Sequence, residues 1–244
     1  MIYQHEIEEN IRHHECDANG KLKLHSLFDR LQDAAAEHAA KLNVGMDELA
    51  EMRLIWVLSR LKIDLFEPLK LGDLLKVTTR PTGVQRIFAH RCYELGVDGR
   101  RMGIAGSFWL PVNTISGRPV NAKKVLPADI LDVPEAEKFF SDMDKLPAVS
   151  SPVCVSYRVG AGDVDLNRHL NNAVYARWVT DLLGEKLNTF SPQVKEIQLN
   201  YLSPGQFGEE IFLRADAEKN GSFSVSGEKA DGSAVFQAQG KLFA

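Results

Sequence analysis

The stretch DVDLNRHLNN, residues 163–172, places seven polar side chains around three apolar ones. It leads directly into AVYARWVTDLL, residues 173–183, whose apolar residues recur at the spacing of a helix. Asparagine and aspartate favour helix starts for purely local reasons, so a capped helix start is the simplest interpretation. A cluster this polar at the entrance to a buried helix also suits a site for chemistry, and the rest of the chain has to decide between the two.

The chain carries this pattern twice. The segment CDANGKLKLHSLFDRLQDAA, which begins at residue 16, runs in step with VDLNRHLNNAVYARWVTDLL, which begins at residue 164. A second block further along aligns in the same order, which predicts an internal duplication. The aligned pairs are Asp17 with Asp165, Asn19 with Asn167, Leu22 with Leu170, Pro68 with Pro204 and Gly72 with Gly208.

Both copies follow one plan, a short strand (3–15 and 152–159), a loop, one helix and a run of strands. Asp-Gly and Asn-Gly pairs at 98–99, 220–221 and 231–232 indicate hairpin turns. One helix followed by an antiparallel run predicts an α+β fold in which the sheet wraps around the helix. We expect an N-terminal domain over 1–126, a charged linker over 127–150 and a C-terminal domain over 151–244.

Composition excludes several classes of protein. The net charge is −4 and no apolar run approaches the roughly 20 residues of a membrane helix, so we expect neither nucleic acid nor membrane as a partner. No secretory signal is visible, and the three scattered cysteines fit a reducing compartment, so we expect a cytoplasmic protein. His13, His14 and Cys16 lack a second ligand pair at usable spacing, and we expect no metal and no cofactor.

The polar loop has the form D-x-D-x-x-x-H-[VL]-N-N, and together with one helix and an antiparallel sheet it resembles the hotdog fold. Two copies in one chain look like the acyl-acyl carrier protein thioesterases of plants and bacteria. The segments that carry the resemblance are 162–179, 107–127 and 56–60. It implies two tandem hotdog domains that form a pseudo-dimer within one chain, as a monomer or homodimer. It also implies hydrolysis of acyl-acyl carrier protein (acyl-ACP) thioesters to free fatty acids, with acyl-loaded carrier protein as the partner.

Thioester hydrolysis needs an activated water and donors for the oxyanion that forms. Asp165, Asn167 and His169 alternate along the chain, so their side chains could converge if the loop is extended. We also expect free backbone N–H groups at the start of the following helix to face developing negative charge. The resemblance places these three residues on the catalytic aspartate, asparagine and histidine of the family.

The sequence departs from the family in one place. A further catalytic glutamate or cysteine usually follows the strand equivalent to EIQLNYL, whereas this chain has Pro204 and Gly205. Asp165 would then act more directly in the reaction. The candidates to replace the fourth catalytic residue are Asn200, Gln206 and Glu209, and the sequence does not rank them. Copy one has Lys21 where copy two has His169, and lysine is a poor base at neutral pH. Copy one is therefore expected to be non-catalytic and, by the resemblance, to supply much of the acyl-chain pocket.

Other interpretations stay open. An acyl-coenzyme A thioesterase is the second enzyme hypothesis, and a non-catalytic acyl-binding module is the alternative from another class. Cys154 as a nucleophile lacks a supporting motif, and a small buried strand residue is the expected role. Segment 80–124 holds eight basic residues and two acidic ones. These are either solvated strand faces or a docking surface for an acidic carrier protein.

Overall fold

Two units make up the chain in the computed structural model, which describes residues 3–128, 131, 139–140 and 142–243. Unit 1 comprises Met1–Asn10, Asp29–Phe66 and Gly72–Met143. Unit 2 comprises Ile11–Phe28, Glu67–Leu71 and Asp144–Ala244. The domain and linker boundaries proposed from the sequence stay a prediction.

Unit 1 contains an antiparallel five-stranded sheet in the order β1-β3-β4-β5-β2. Its buried core residues include Leu31, Ala34 and Ala35 of the helix α1 and Leu75 and Val77 of the sheet. The elements are β1 (His5–Asn10), α1 (Leu24–Lys41, of which 29–41 belong to this unit), α2 (Met46–Glu51), β2 (Leu54–Leu65), β3 (Leu74–Gln85), β4 (Phe88–Val97) and β5 (Arg100–Asn113).

Unit 2 has a second five-stranded antiparallel sheet, in the order β6-β8-β9-β10-β7. When its strands are numbered from its own first strand, this order is the same as in unit 1. A shared order of five strands supports the duplication inferred from the sequence. The elements are β6 (Val155–Arg158), α3 (Asn172–Leu187), β7 (Val194–Tyr201), β8 (Glu210–Ala217), β9 (Ser222–Lys229) and β10 (Ala234–Leu242).

The predicted hairpin turns lie between β4 and β5, β8 and β9, and β9 and β10. The first strand of each copy is shorter than expected. Strand β1 ends at Asn10 and a short 3-10 helix, His13–Glu15, follows it, while β6 covers only Val155–Arg158. Helix α3 passes through Gly184 and ends where Asn188 adopts the left-handed conformation, with φ of 51°.

Aromatic side chains fix α3 against the sheet of unit 2. The ring of Trp178 is buried and stacks on Tyr157, with ring centroids 5.3 Å apart. Tyr175 lies one turn earlier and meets Phe236 edge-on at 5.2 Å. Such pairs add about 0.5–1.5 kcal/mol each to the area that they bury. The start of α3, where the polar loop ends, is therefore held by the core of unit 2.

Polar side chains of the unit 2 sheet bind the described part of the predicted linker. The carbonyl of Asp144 accepts hydrogen bonds from Gln198 Nε2 at 2.7 Å and Asn200 Nδ2 at 3.0 Å. Further along, the Val149 amide donates to Ser226 Oγ at 3.3 Å. Buried backbone groups need such partners, so this segment is seated on the sheet.

In unit 1, Phe139 and Phe140 are half-buried. The Phe139 amide donates to Cys92 Sγ at 3.0 Å, and the guanidinium of Arg80 lies 5.5 Å from the Phe139 ring. The ammonium of Lys62 lies 4.9 Å from the Phe140 ring. These contacts explain why two aromatic residues interrupt an otherwise charged segment, since each ring covers a cationic side chain.

Replacing both Gln198 and Asn200 by leucine should release the linker, because Asp144 then loses both of its side-chain hydrogen bonds. We expect tryptic cleavage after the exposed Lys145 to become several-fold faster. Mass spectrometry of the fragments over time measures the cleavage rate. Gln239→Leu is the matched control, since Gln239 pairs with Gln198 across the strands and its side chain bonds Ser224 instead of the linker. Equal cleavage rates in the double variant and the control would contradict this anchoring.

Candidate active site

The loop of copy two is closed by Asp165. Its amide donates to the His169 carbonyl at 2.8 Å, and its Oδ1 accepts the amides of Asn167 at 2.8 Å and His169 at 3.3 Å. One carboxylate oxygen thus organises the turn between the three predicted catalytic residues. Such local side-chain-to-backbone bonds are the usual way in which aspartate stabilises a turn.

The side chains that this turn presents are available for further contacts. Asn167 is exposed, while Asp165 and His169 are half-buried. Within the described residues, neither the Asn167 amide group nor the His169 ring has a hydrogen-bond partner, and the second oxygen of Asp165 also has none. Arg168, between them, has φ of 62°, a conformation that costs a non-glycine residue about 1 kcal/mol. Strain of this kind is often found at functional sites.

Asp163, the first aspartate of the stretch, braces the base of the loop. Its Oδ1 accepts a hydrogen bond from Arg177 of α3 at 2.7 Å, and its Oδ2 accepts the Gly160 amide at 2.9 Å. Its carbonyl accepts the Asn171 amide at 2.8 Å. Asp163 was not predicted as a site residue, because an aspartate fourteen residues before a helical arginine is not a recognisable sequence signal.

Asn171 caps helix α3. Its Oδ1 accepts the Ala173 amide at 2.9 Å and its carbonyl accepts the Val174 amide at 3.0 Å. The expectation that free helix N–H groups face the site is therefore wrong for these two amides. Because one asparagine does the capping, the other polar residues of the stretch are not needed for the helix start.

The loop of copy one has the same backbone hydrogen bonds. The Asp17 amide donates to the Lys21 carbonyl at 2.8 Å, and Asp17 Oδ1 accepts the amides of Asn19 and Lys21, both at 2.9 Å. Gly20, with φ of 70°, stands where copy two has Arg168. The two loops are duplicates in backbone and differ in side chains.

The two carboxylates differ in their second oxygen. Asp17 Oδ2 accepts hydrogen bonds from Ser191 Oγ at 2.5 Å and Gln193 Nε2 at 2.8 Å, both within unit 2. Partial burial acts to raise the pKa of Asp17, but the hydrogen bonds from Ser191, the Lys21 and Asn19 amides and Gln193 lower it overall. The copy-one carboxylate is thus fully engaged in structure, whereas the corresponding oxygen of Asp165 is open.

The sequence offered three candidates for a fourth catalytic residue, and the structure shows what surrounds each of them. Asn200 binds the linker through Asp144, as described above. Glu209 forms an ion pair with Lys229 at 3.0 Å, and its other oxygen accepts the Gln206 amide at 2.8 Å. Gln206 itself is exposed in this turn. The geometry thus gives Asn200 and Glu209 structural tasks.

The segment around Gly205 lies against the loop through backbone contacts. The Gly205 carbonyl accepts the Leu170 amide at 2.8 Å, and the Gly205 amide donates to the Tyr175 hydroxyl at 3.1 Å. Tyr175 was placed on the helix by its sequence context but was not recognised as a site residue. Only the three-dimensional approach of Gly205 reveals this contact.

Other candidate sites are less supported. Among the described residues, no three His, Cys, Asp or Glu side chains are grouped as a metal site would require. Cys154 is exposed, so the expected buried position is wrong, because β6 begins only at the next residue. No helix in the described part of the chain is both long and apolar enough to cross a membrane.

The chain matches the acyl-ACP thioesterase N-terminal domain over residues 3–129 and the acyl-ACP thioesterase C-terminal domain over residues 148–239. It is 24% identical over 210 residues to oleoyl-acyl carrier protein thioesterase 1, chloroplastic, of Arabidopsis thaliana, an alignment that covers 78% of this chain and 58% of the relative. It is 26% identical over 195 residues to palmitoyl-acyl carrier protein thioesterase, chloroplastic, of Gossypium hirsutum, covering 70% and 45%. The chain spans about half the length of these curated relatives.

Solved structures confirm the double hotdog fold. An acyl-ACP thioesterase from Bacteroides thetaiotaomicron VPI-5482 superimposes with a TM-score of 0.87 at 24% identity, covering 99% of this chain and 98% of that one. The 12:0-ACP thioesterase from Umbellularia californica gives a TM-score of 0.85 at 16% identity, covering 99% and 97%. Since both domain families match in order over most of its length, this chain belongs to the acyl-ACP thioesterase family.

Proposed function

We propose that this protein hydrolyses acyl-ACP thioesters and releases free fatty acids, ending chain elongation. The observation that carries the proposal is the difference between two loops of equal backbone geometry. Copy two leaves Asp165 Oδ2, the Asn167 amide group and the His169 ring unengaged by described residues, whereas Asp17 is bound by Ser191. A catalytic loop needs such unengaged groups, and family membership supplies the substrate class.

In the reaction, a water oxygen bonds to the thioester carbonyl carbon, the C–S bond breaks, and one water proton passes to the sulfur of the leaving thiol. Asp165 or His169 takes the proton from the attacking water. The imidazole of His169 suits delivery of that proton to the sulfur, because histidine can both take up and release a proton near neutral pH. Asn167, the most exposed of the three, offers amide N–H groups to the oxyanion or to the water. The backbone amides of Asn167 and His169 are engaged by Asp165 and do not serve this purpose.

Two other functions are compatible with some of these observations. An acyl-coenzyme A thioesterase would use the same loop, and it is distinguished by whether turnover survives without the carrier protein. A non-catalytic acyl-binding module is motivated by Pro204 and Gly205, and turnover that depends on His169 would exclude it. A cytoplasmic location and a monomeric or homodimeric state stay predictions from the sequence.

The basic segment 80–124 does not form one surface in unit 1. Arg91 is buried, and both Arg80 and Arg101 form ion pairs with Glu94. Arg100 and Arg101 follow the turn after β4, whereas the helical turn that holds Lys123 packs beside Ile87, before β4. Strand β4 has 10 residues, so the two groups are roughly 33 Å apart.

A second grouping is more compact, and we name it the basic end. Three loops meet at this end of the unit 1 sheet, since the Thr114 amide donates to the Arg53 carbonyl and the Ala122 amide to the Ile87 carbonyl. The basic end consists of the exposed side chains of Arg53, Arg86, Arg118, Lys123 and Lys124. Ile87 and Ile115 are exposed among them, at 36% and 70%. Cations around apolar side chains suit an acidic protein partner, and we propose this end as the carrier-protein docking surface.

Replacing His169 by alanine should lower kcat by a factor on the order of 10²–10⁴, because a general acid or base is lost. Lys21→Ala, at the matching position of copy one, should leave kcat nearly unchanged. Steady-state hydrolysis of a palmitoyl- or oleoyl-ACP substrate measures both. A larger loss of kcat in Lys21→Ala would show that the active copy has been assigned wrongly.

Asp165→Asn keeps the Oδ1 acceptor that closes the loop and removes the charge at the open oxygen. It should therefore reduce kcat much more than it changes KM, while the melting temperature stays near that of the wild type. Asp17→Asn makes the same change in the copy-one loop and serves as the control for kcat. If Asp165→Asn keeps nearly full kcat, the role belongs to another group, and Glu209 is the first to replace.

Reversing Lys123 and Lys124 to glutamate should raise KM for an acyl-ACP substrate on the order of tenfold at low salt, with less effect at high salt. Reversing Arg100 and Arg101 changes the same amount of charge at the other end of β4 and should have a smaller effect. Neither variant should alter hydrolysis of a small neutral thioester. Comparison of kcat/KM at two ionic strengths decides this, and equal effects of the two reversals on the carrier substrate would eliminate the basic end as the docking surface.

A further inference from the structure

Tyr175 is a buried polar side chain that the proposed mechanism does not use. It lies in the first turn of α3 and is 2% exposed. Its ring meets Phe236 edge-on at 5.2 Å and Tyr201 at 5.4 Å, which fixes the position of the hydroxyl. The hydroxyl oxygen accepts the Gly205 amide at 3.1 Å.

Gly205 approaches Leu170 of the loop so closely that a side chain at 205 would require Leu170 to shift. A Cβ atom on residue 205 would lie 3.0 Å from Leu170 Cδ2 and 3.2 Å from Leu170 Cβ. The same Cβ would lie 3.6 Å from the Tyr175 hydroxyl. The phenol oxygen is therefore next to the place where a side chain at position 205 would begin.

A chain of hydrogen bonds links Tyr175 to the catalytic loop. The Tyr175 hydroxyl binds the Gly205 amide, and the Gly205 carbonyl accepts the Leu170 amide at 2.8 Å. Leu170 also forms a β-bridge with Val164, and these two residues flank the turn that carries Asp165 and His169. A shift of Gly205 is thus passed to both ends of the turn.

The hydroxyl retains a proton at neutral pH. Burial is the main cause that raises the pKa of Tyr175, to about 12, and the negative charges of Asp165 and Glu209 add to it, while the Gly205 amide opposes it. Since the hydroxyl accepts from Gly205, its own O–H remains a donor, and no described protein group accepts from it.

We propose that Tyr175 is a positioning residue for the thioester hydrolysis proposed above. Its hydroxyl fixes the Gly205 segment against the catalytic loop and so holds Asp165 and His169 in their working positions. The helix thereby supplies a polar anchor at the place where the family resemblance led us to expect a polar side chain at position 204 or 205. This proposal rests on the proposed function, but its structural half can be measured without activity.

Tyr175→Phe tests the proposal, because phenylalanine keeps the ring packing and removes only the hydroxyl. We expect kcat for an acyl-ACP substrate to fall roughly 5–50-fold with KM changed less than twofold, since misplacement of catalytic groups reduces the chemical step. Tyr93→Phe is the matched control, because Tyr93 is equally buried and its hydroxyl bonds Ser107 at 3.1 Å within unit 1. Its kcat should stay within twofold of the wild type.

Amide hydrogen exchange supplies the second readout. In Tyr175→Phe, the Gly205 and Leu170 amides should exchange several-fold faster than in the wild type, while amides in the middle of α3 keep their rates. Unchanged exchange at both amides would overturn the positioning role, whatever happens to kcat. A kcat within twofold of the wild type despite faster exchange would also overturn it, and so would an equal kcat loss in Tyr93→Phe.

A third measurement separates positioning from a general loss of packing. In an Asp165→Asn background, Tyr175→Phe should lower kcat less than it does in the wild type, because the hydroxyl acts through the loop that Asp165 closes. Additive losses would contradict the proposal. A wild-type protein that hydrolyses neither acyl-ACP nor acyl-coenzyme A substrates would overturn the proposed function instead, and the exchange experiment would still decide whether Tyr175 holds the loop.

Discussion

The loop-closing carboxylate is the interaction on which the site depends. In each copy one aspartate oxygen accepts two backbone amides, from residues two and four positions further along. This satisfies the amides of a turn that has no sheet or helix partner for them. Because one oxygen performs the whole structural task, the other is left over. The duplicated fold therefore produces two equivalent spare oxygens, and what surrounds each one determines its use.

The surroundings give the two copies different properties. Asp17 is bound by Ser191 and Gln193. Four positions after Asp17 stands the amine of Lys21, whereas four positions after Asp165 stands the imidazole of His169. A carboxylate that is saturated with donors is stabilised in its charged form and has little basicity to offer. Asp165 keeps an unengaged oxygen close to His169 in sequence and in the turn. The proposed loss of chemistry in copy one would thus require no change of backbone.

Local sequence patterns were sufficient for the fold. Helical periodicity placed α3, and the duplicated segment placed α1 at the matching position of copy one. Three glycine-containing turns defined the hairpins, because such features depend on neighbours in the chain. The loop residues Asp165, Asn167 and His169 were named because they are close in sequence and match a family motif, and their catalytic roles stay predictions. Tyr175 and Asp163 were not named, since their contacts with Gly205 and Arg177 join residues thirty and fourteen positions apart. The basic residues of segment 80–124 show the same limit, because Arg100 and Arg101 follow β4 whereas Lys123 lies beside Ile87 before it.

Pro204 and Gly205 stand where the family usually has a further catalytic side chain. The packing around Gly205 gives a structural reason for glycine at that position. A side chain at position 205 would press on Leu170, which holds one end of the catalytic turn. With glycine there, the backbone itself can approach and donate to the phenol of Tyr175. Glycine at 205 therefore serves two contacts at once, since it leaves Leu170 undisturbed and lets the backbone amide reach the phenol. A polar side chain at 205 would require Leu170 to shift, and it would thereby disturb the turn that carries Asp165 and His169.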